Sequence, residues 1–571
     1  MIKMPESTKF IFSKMLVHKK LLLYYSLFCI FFGICNLIEP ILAKNVMDKA
    51  FYVKSKDELL NPAIIWSVIF VTKYIFQYAQ KNVGLKYKLE TFKTIRMVVF
   101  EDILRKPLQF FKTNTPSYIL SRINSDIENL NGIMFHNLIS SVLALVQIII
   151  ILFFMFKISP LLFLVTIILK MSELILNTIF PLKKLYKNHN EALAEIDSKV
   201  QDTFSCIKLV KASSKIDYET KRYQDNLVKY FARRLSRDKI NVIREVGSRF
   251  ILEASYPITI IAGGFFIFYK FMSIGSVVAF ILYFQKITPL FNEVAYIVPI
   301  FKISQASMER LYEFFSVKNE NIINGNRVKS IESIEFKNVT FSYDNKNILS
   351  NVSFKLLKNK VNALVGVSGA GKSTIIGMLM GYIKPDCGEI LVNGKNFNLY
   401  RIQDIRDKIS VLSQEPIIFE RTMKENIAYN CSSQVEFQSK YDSIVQAAYL
   451  NTIVDRLDYG VNTILKNNGG NLSGGERQRV CLARELYKDS SVYVFDEATS
   501  ALDAISENIV MNNIKSMSKN YIVFVVTHRL KNIKTADMIY VLDNGRITEN
   551  GKHEELINNK MLYYSLYKQQ S

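Results

Sequence analysis

The sequence lacks the residue clusters that bind transition metals. Its six Cys are scattered without a CxxC pair, and its five His stand far apart. Neither residue type has the spacing of a metal-ligand set. We therefore expect free thiols in a reducing compartment rather than a metal centre.

The sequence also lacks the signs of a cleaved leader. The first apolar stretch is too long for a signal peptide and continues through Glu39 and Pro40 without a small-residue cleavage site. No protease-like segment precedes it, so we do not expect this chain to cleave the leader of a peptide substrate.

The composition excludes both an ordinary soluble enzyme and a pure membrane bundle. Hydrophobic residues make up 49% of the 571 residues, and the mean hydropathy is +0.12. The net charge is +22, of which residues 331–571 carry +3 and residues 1–330 carry +19. Three explanations of this basic half are open: nucleic-acid binding, basic loops beside membrane spans, and a basic cavity for an anionic substrate.

The apolar runs favour the membrane explanation. Each is about as long as a helix needs to be to cross a bilayer. The runs lie at 21–43, 60–80, 134–156, 159–181, 249–272 and 276–301. Long segments with charges at helical spacing follow the second and fourth runs, and Lys and Arg crowd these segments and the N-terminus. We expect six helices with cytoplasmic extensions and both termini in the cytoplasm.

Ionisable residues within apolar spans are costly and suggest a substrate path. Such residues here are Glu39, Lys170, Glu173, Glu253, Lys286 and Glu293. Lys170 and Glu173 can share a helix face, as can Lys286 and Glu293 seven residues apart. An internal ion pair and a residue lining the path are equally compatible with this pattern.

The last part of the chain predicts an α/β domain. Near-continuous apolar runs at 361–365, 491–495 and 521–526 are typical of parallel strands covered on both faces. We divide the chain into an all-α transmembrane domain at 1–320, a linker at 321–330 and a nucleotide-binding domain with a mostly parallel sheet at 331–571.

The first of these strands leads into a phosphate-binding loop at 366–374, GVSGAGKST, followed by a helical pattern. Its glycines let main-chain N–H groups face phosphate oxygens, and the helix N-terminus adds its dipole. Lys372 is predicted to reach the β- and γ-phosphates and Ser373 to hold Mg²⁺. The other predicted ATP-binding residues of the loop are Gly366, Ser368, Gly369, Gly371 and Thr374.

The next two strands end in polar residues suited to ATP hydrolysis. Asp496 is predicted to hold Mg²⁺ through water, and Glu497 to polarise the attacking water. His528 follows the third strand and is predicted to lie beside the γ-phosphate.

In order along the chain, these motifs resemble those of an ATP-binding cassette (ABC) exporter half-transporter, and the resemblance covers nearly the whole chain. It implies that Tyr343 stacks on adenine and that Gln414 senses Mg²⁺. LSGGERQR at 472–479 resembles the family signature, with Ser473, Gly474 and Gly475 at a helix start. Asp503 in SALD completes the set.

The resemblance implies a head-to-tail dimer. The signature has no Lys because it caps the ATP that the phosphate loop of the other subunit holds, through Ser473 and two glycine N–H groups. A homodimer is favoured, since every ATPase motif is present, and a heterodimer is the alternative.

The resemblance also implies coupling of ATP hydrolysis to movement of the membrane spans. Segments 106–126 and 205–215 resemble the two cytoplasmic loops of exporters, each with a short helix that docks on a nucleotide domain near Gln414. One segment departs from the family pattern, because Lys466-Asn467 replaces the usual Gly-Glu before the signature.

We therefore expect ATP-driven export across a bacterial cytoplasmic membrane by alternating access, with ATP and Mg²⁺ as cofactors. The expected partners are a second half-transporter, the lipid bilayer and the substrate, and no nucleic acid. A bacteriocin-like peptide or an amphipathic drug is the first expectation and a lipid the alternative. An ATP-gated sensor or channel would have the same sequence features.

Overall fold

A computed structural model of the chain describes residues 6–52, 56–130, 135–179, 182–320, 325–343, 346–367, 369–430, 434–466, 468–497 and 504–570. Ser368, Asn467 and Asp503 lie outside these residues, so what was predicted for them stays a prediction.

The chain divides into two compact units. The first comprises Met1–Leu104 and Thr115–Val317, and the second comprises Arg105–Asn114 and Lys318–Ser571. The ten residues from Arg105 therefore belong with the second unit although they lie within the predicted transmembrane domain. The predicted linker at 321–330 begins with four residues outside the described ones, and its bounds stay a prediction.

The first unit is helical. Its helices are α1 (Glu6–Met15), α2 (Lys19–Tyr52), α3 (Lys56–Leu104), α5 (Pro116–Ser121), α6 (Ile127–Asn129), α7 (Phe135–Ile158), α8 (Pro160–Ile179), α9 (Leu182–Ser205), α10 (Ile207–Ala212), α11 (Ile216–Phe268) and α12 (Ile274–Ser316). A 3₁₀ turn at Leu16–His18 joins α1 to α2, and a π-helical turn at Arg122–Asp126 joins α5 to α6.

Within the described residues, five helices are long and apolar enough to cross a membrane by length and composition. They cover Lys9–Phe51, Leu59–Leu104, Asn137–Ile158, Ile216–Phe268 and Ile274–Ser316. The remaining predicted span, 159–181, coincides with α8, which has 20 residues. The predicted extensions are present, since α3 continues to Leu104 after the second predicted span and α11 begins about thirty residues before the fifth.

Helix starts in this unit follow local capping chemistry. Ser273 Oγ accepts a hydrogen bond from Ser276 N at the start of α12. Asp48, near the end of α2, accepts from Gly275 N at 2.9 Å and from Ser273 Oγ at 3.0 Å. A Cβ on Gly275 would lie 2.3 Å from Lys44 O. The sequence therefore needs glycine here to let α2 and α12 approach.

In the residues that the structure describes, the second unit contains α4 (Leu108–Thr113) and ten strands. The strands are β1 (Ser333–Tyr343), β2 (Lys346–Leu357), β3 (Lys360–Gly366), β4 (Cys387–Val392), β5 (Lys395–Asn396), β6 (Ile409–Leu412), β7 (Val492–Asp496), β8 (Ile522–Thr527), β9 (Met538–Asp543) and β10 (Arg546–Gly551). The six-stranded sheet has the order β10-β9-β3-β8-β7-β6. All its neighbouring pairs are parallel except β9 with β10. The predicted α/β class is confirmed.

A second sheet was not predicted. It has the order β2-β1-β4-β5, and all its pairs are antiparallel. The sequence signal was weak because β1 and β2 alternate buried and exposed residues with irregularities, unlike the fully buried parallel strands.

Apolar side chains cover the six-stranded sheet on both faces. Ala363 and Val365 of β3 belong to one buried cluster, and Leu364 between them belongs to the other. The helices of the second unit after α4 are α13 (Lys372–Leu379), α14 (Ile402–Lys408), α15 (Met423–Ile427), α16 (Gln434–Ala447), α17 (Asn451–Arg456), α18 (Gly474–Tyr487), α19 (Ala504–Met517), α20 (His553–Asn558) and α21 (Leu562–Gln570).

Candidate active site

The phosphate-binding loop connects β3 to α13, as predicted. Gly371 is the N-cap of α13 with φ +110°, and Gly369 has φ +82°. Only glycine adopts these angles readily, so the loop conformation depends on both residues. A Cβ on Gly366 would lie 2.2 Å from Leu542 O, which explains the glycine at the end of β3.

Lys372 lies under this loop. Its Nζ donates to Gly366 O at 2.8 Å and to Val367 O at 3.1 Å. Burial lowers the pKa of Lys372, and the carboxylates of Glu497 and Asp496 partly oppose this effect. The ammonium group is therefore held at the base of the loop and near the two carboxylates. Ser373 is exposed at the start of α13, and Thr374 is buried.

The predicted catalytic residues meet at the carboxyl ends of neighbouring parallel strands. β3 pairs with β8, and β8 pairs with β7. The phosphate-binding loop, Asp496-Glu497 and His528 follow the ends of these three strands, so the topology places them at one edge of the sheet.

Glu497 is held from two sides. Its Oε1 lies 2.6 Å from His528 Nδ1, and its Oε2 accepts from Gln414 Nε2 at 2.9 Å. A carboxylate only accepts, so the His528 Nδ1 position carries the hydrogen in this contact. The Glu497 side chain is 14% exposed and the His528 side chain 52% exposed. The structure thus brings the three predicted catalytic residues into direct contact.

Asp496 has the environment of a cation ligand. Burial raises its pKa to about 6, the neighbouring Glu497 adds to this, and Lys372 opposes it. No group of three or more His, Cys, Asp or Glu that could hold a metal occurs among the described residues. One carboxylate with a serine hydroxyl fits Mg²⁺, which binds few protein oxygens and relies on nucleotide phosphates. Asp496, Ser373 and the Gln414 carbonyl are the predicted ligands, and Mg²⁺ would neutralise phosphate charge there.

One cleft of the second unit is lined by two of the predicted Mg²⁺ ligands. It has a volume of about 1530 Å³, and its walls include Tyr343, Ser373, Thr374, Ser413 and Asp496. Tyr343 is 41% exposed at the end of β1, so its ring is available for stacking. The predicted adenine stacker thus lies along the same cleft as Ser373 and Asp496.

The signature forms a capped helix start. Ser473 Oγ accepts from Glu476 N, and the Glu476 carboxylate accepts from Ser473 N at 2.8 Å. Burial raises the pKa of Glu476, but the bonds from Ser473 and the contact of Arg456 outweigh it and lower the pKa. Gly474 and Gly475 form the first turn of α18, so their N–H groups have no partner within the helix. The predicted helix start at Ser473 is confirmed, and the role of Ser473 toward ATP stays a prediction.

The segment before the signature is fixed to the segment after Gln414. Asn468 Oδ1 accepts from Ile418 N at 2.8 Å, and Asn468 has φ +56°. Lys466 is exposed, and its N–H donates to Asn471 Oδ1. Asn468, which follows the two residues that depart from the family pattern, therefore makes a contact that sequence analysis missed.

A short helix is present in each predicted coupling segment. α4 lies in 106–126 and α10 in 205–215. α4 belongs to the second unit, and Phe110 is buried there. Pro107, Leu108 and Thr113 line the same cleft as Ser413, next to Gln414. The first coupling segment therefore carries a short helix along this cleft, and its docking near Gln414 stays a prediction.

Arg406 joins three parts of the second unit, which we name the Arg406 junction. Its guanidinium makes two bonds to the Glu320 carboxylate at 2.7 and 2.9 Å and donates to Met380 O, just after α13. Lys488, at the end of α18, donates to Arg406 O. Glu320 N donates to Arg105 O beside α4. The junction therefore connects the phosphate-loop helix, the signature helix and the α4 segment.

The first unit, which we call the membrane unit, contains an ion cluster in which one residue pairs differently from the prediction. Lys286 binds Glu39 at 2.6 Å, not Glu293, and also donates to Asn36. Lys73 binds the same Glu39 oxygen at 2.8 Å. The helical period places Lys286 and Glu293 on one face of α12, but the packing of α12 against α2 brings Lys286 to Glu39 instead. We call Glu39, Lys73 and Lys286 the ion triad.

The other predicted path residues differ in environment. Lys170 binds Glu173 at 2.8 Å, as the spacing predicts, and donates to Thr288. Glu253 is exposed and Glu293 is half-buried. Sequence analysis missed Lys73, although a Lys inside the run at 60–80 was a visible signal.

The site and fold define a membrane transporter driven by ATP hydrolysis, and comparisons with known proteins agree. The family description "ABC transporter transmembrane region" matches residues 22–289, and "ABC transporter" matches residues 349–500. The chain belongs to the ABC transporters and has the organisation of an exporter, with both domains in one multi-span polypeptide.

This chain spans nearly the whole length of one relative and a smaller share of two others. An ATP-dependent lipid A-core flippase of Desulfotalea psychrophila is 29% identical over 93% of this chain and 94% of its own. The α-hemolysin translocation protein HlyB of Escherichia coli is 29% identical over 99% of this chain and 81% of its own length. The human oligopeptide transporter ABCB9 is 29% identical over 83% of this chain and 63% of its own length. A bacterial Atm1-family ABC exporter with ATP bound has the same fold, with a TM-score of 0.81, 21% identity and coverage of 97% and 99%.

Proposed function

We propose that two copies of this chain form an exporter that moves an amphipathic molecule with an anionic group out of the cytoplasm. The ion triad carries this proposal. Two ammonium groups share one carboxylate within apolar helices, so the triad has a net charge of +1. An anionic substrate group would compensate this charge, whose burial is costly.

Anionic lipid is the first candidate. It matches the triad and the activity after which the lipid A-core flippases are named, which is an activity of those proteins. Peptide is the second candidate, supported by the names of the α-hemolysin translocation protein HlyB and the oligopeptide transporter ABCB9. Drugs belong to the same amphipathic class.

The proposed assembly is a head-to-tail homodimer with both termini in the cytoplasm. Each chain carries Lys372, Glu497 and Ser473 in folded positions, so two copies provide two complete sites with Mg²⁺-ATP. Hydrolysis would open the dimer and return the membrane helices to their inward-facing arrangement. A heterodimer with a related chain would use the same contacts.

Transport in proteoliposomes tests the proposal. The reconstituted chain should move a fluorescent anionic phospholipid between leaflets with MgATP, and a zwitterionic analogue more slowly. A labelled cationic peptide and a cationic dye serve as the alternative substrates. If only the peptide is transported, the substrate is a peptide and not a lipid. If a soluble ion equilibrates with ATP but does not accumulate, the protein is a gated channel.

The ion triad provides the matched control. Lys286→Met should reduce selectivity for the anionic phospholipid, while Lys157→Met, at the end of α7, should not change it. Equal transport of anionic and zwitterionic lipids by the unmodified chain would contradict the assignment of an anionic group.

A further inference from the structure

Gln478 lies in α18, the helix that begins at the signature. Its side chain is buried, with 1% exposed. Gln478 Nε2 donates to the main-chain oxygen of Glu497 at 3.3 Å. None of the roles described above involves this residue, although it contacts the backbone of the predicted catalytic carboxylate.

The backbone of Glu497 explains the importance of this contact. Glu497 has φ +50°, a left-handed conformation that residues with a side chain adopt rarely. Its N–H donates to Val526 O at 2.9 Å, and its carbonyl accepts from Gln478. Both main-chain polar groups are thus fixed in a conformation that needs support from its surroundings.

This conformation directs the Glu497 carboxylate. One carboxylate oxygen contacts His528 and the other contacts Gln414. A rotation of the Glu497 backbone would move both oxygens away from these partners together. The orientation of the carboxylate therefore depends on the main-chain conformation of Glu497.

We propose that Gln478 is a positioning residue for Glu497 in ATP hydrolysis. Its buried amide holds the left-handed backbone of Glu497 and thereby keeps the carboxylate between Gln414 and His528. The role concerns hydrolysis and is independent of the exported substrate.

The contact also links two motifs within one chain. α18 carries Ser473 at its start, and the Gln478 side chain joins the same helix to Glu497. Displacement of the signature helix is thus transmitted to the catalytic carboxylate of its own chain. In the proposed homodimer the signature serves one ATP and Glu497 the other, so Gln478 connects the two sites.

Gln478→Glu tests this role in the full chain with nearly unchanged side-chain volume. The substitution removes the N–H donor, so we expect kcat for ATP to fall about tenfold while KM changes less than about twofold. Gln446→Glu is the matched control, since Gln446 is exposed on α16; its kinetics should equal those of the unmodified chain.

The pH profile separates positioning from a general structural defect. A protonated carboxyl regains an O–H donor, so the activity of Gln478→Glu relative to the unmodified chain should recover as the pH falls from 8 to 6. A second measurement combines Gln478→Glu with His528→Ala. If both act through the orientation of Glu497, their losses combine to less than the product of the single losses.

Three outcomes would overturn the proposal: unchanged kcat in Gln478→Glu, a constant activity ratio across the pH range, or independent losses in the double variant. If Gln478→Glu does not fold, Gln478→Leu gives the same test of kcat and of the double variant. A thermal unfolding midpoint equal to that of the unmodified chain shows that the measured loss is catalytic.

Discussion

His528 Nδ1 lies 2.6 Å from Glu497 Oε1, although the two residues are 31 positions apart. They meet because β7 and β8 are parallel neighbours in the six-stranded sheet and end at the same edge. Gln414 contacts the opposite oxygen of the same carboxylate. The predicted hydrolytic residues therefore form a connected set centred on Glu497.

Glu497→Gln should abolish ATP turnover and preserve ATP binding. The amide keeps the shape of the side chain but no longer polarises an attacking water, so we expect kcat to fall by about 10²- to 10⁴-fold. Radiolabelled ATP hydrolysis and equilibrium ATP binding measure the two effects. Glu420→Gln, an exposed change in the loop after Gln414, is the control. Undiminished hydrolysis would show that another group activates the water.

A mixed dimer tests whether one ATP site uses residues from two chains. One chain carries Ser473→Arg and the other Lys372→Ala, each with a different affinity tag. Composite sites leave one site with an intact phosphate loop and an intact signature, so the doubly purified dimer should retain measurable ATPase activity. Both homodimers of the variants should be inactive. If each chain completed its own site, the mixed dimer would be as inactive as they are.

Asp496→Asn should stabilise the chain without nucleotide, and more at neutral than at acidic pH. The pKa of Asp496 is about 6 in the folded state and 3.8 as an unperturbed group. The folded state thus binds the proton more tightly, and the free energy of unfolding falls as the pH rises from about 4 to 6. Above pH 6 the substitution should add about 2 kcal/mol, after allowance for partial exposure.

Calorimetry at pH 4.5 and 7.5 measures this effect. The difference in the unfolding midpoint between Asp496→Asn and the unmodified chain should be larger at pH 7.5. Asp489→Asn, at a surface position of the same domain, is the control. An equal difference at both pH values would show that Asp496 does not titrate in this range.

The ion triad predicts unequal effects of removing its members. Glu39→Gln leaves Lys73 and Lys286 side by side without a carboxylate, which should reduce stability by about 3 kcal/mol or more. Lys73→Met leaves the Lys286–Glu39 pair intact and should cost less. Thermal unfolding in detergent gives the order of stability, with the exposed Glu253→Gln as control. A larger loss for Lys73→Met would contradict the shared carboxylate.

The Arg406 junction should affect coupling more than hydrolysis. Arg406→Lys keeps the charge but cannot make the two bonds to Glu320 together with the bond to Met380 O. The single Trp of the chain, Trp66, lies in α3 of the membrane unit and reports on that unit. We expect MgATP with vanadate to change Trp66 fluorescence in the unmodified chain and to change it less in Arg406→Lys, while ATPase activity stays within about twofold.

Arg401→Lys is the matched control for this measurement, because Arg401 lies just before α14 and contacts Gly325 O instead. Equal fluorescence responses in both variants would show that the junction does not transmit the change. A parallel loss of ATPase activity and fluorescence response would place Arg406 in the hydrolytic site instead.

The sequence predicted features whose signals are local. The phosphate-binding loop, its strand and its helix form one continuous segment, and the end of β7 at Asp496 follows from a buried apolar run. The positions of Glu497 and His528 were predictable because parallel strands place their ends together. The helix start at Ser473 was predicted from the local sequence, whereas the capping box with Glu476 was not.

The features that sequence analysis missed depend on distant partners. Lys286 binds Glu39, 247 positions away, and helix periodicity offers no information on which of several carboxylates packs against it. Gln478 donates to a main-chain oxygen, and because every residue has such an oxygen, the sequence does not indicate this partner. The antiparallel sheet combines strands that are irregular and half-exposed, so its pattern resembles that of loops.

The capping box at Ser473 has a consequence for the affinity of the signature. Ser473 Oγ and the Glu476 carboxylate already bind the main-chain N–H groups of Glu476 and Ser473, on either side of Gly474 and Gly475, so the backbone there is ordered without phosphate. Ser473 Oγ accepts a hydrogen bond in this arrangement and keeps its own hydrogen for donation. The predicted phosphate binding at this helix would therefore lose little conformational entropy, and preorganisation would supply part of the affinity that a lysine otherwise provides.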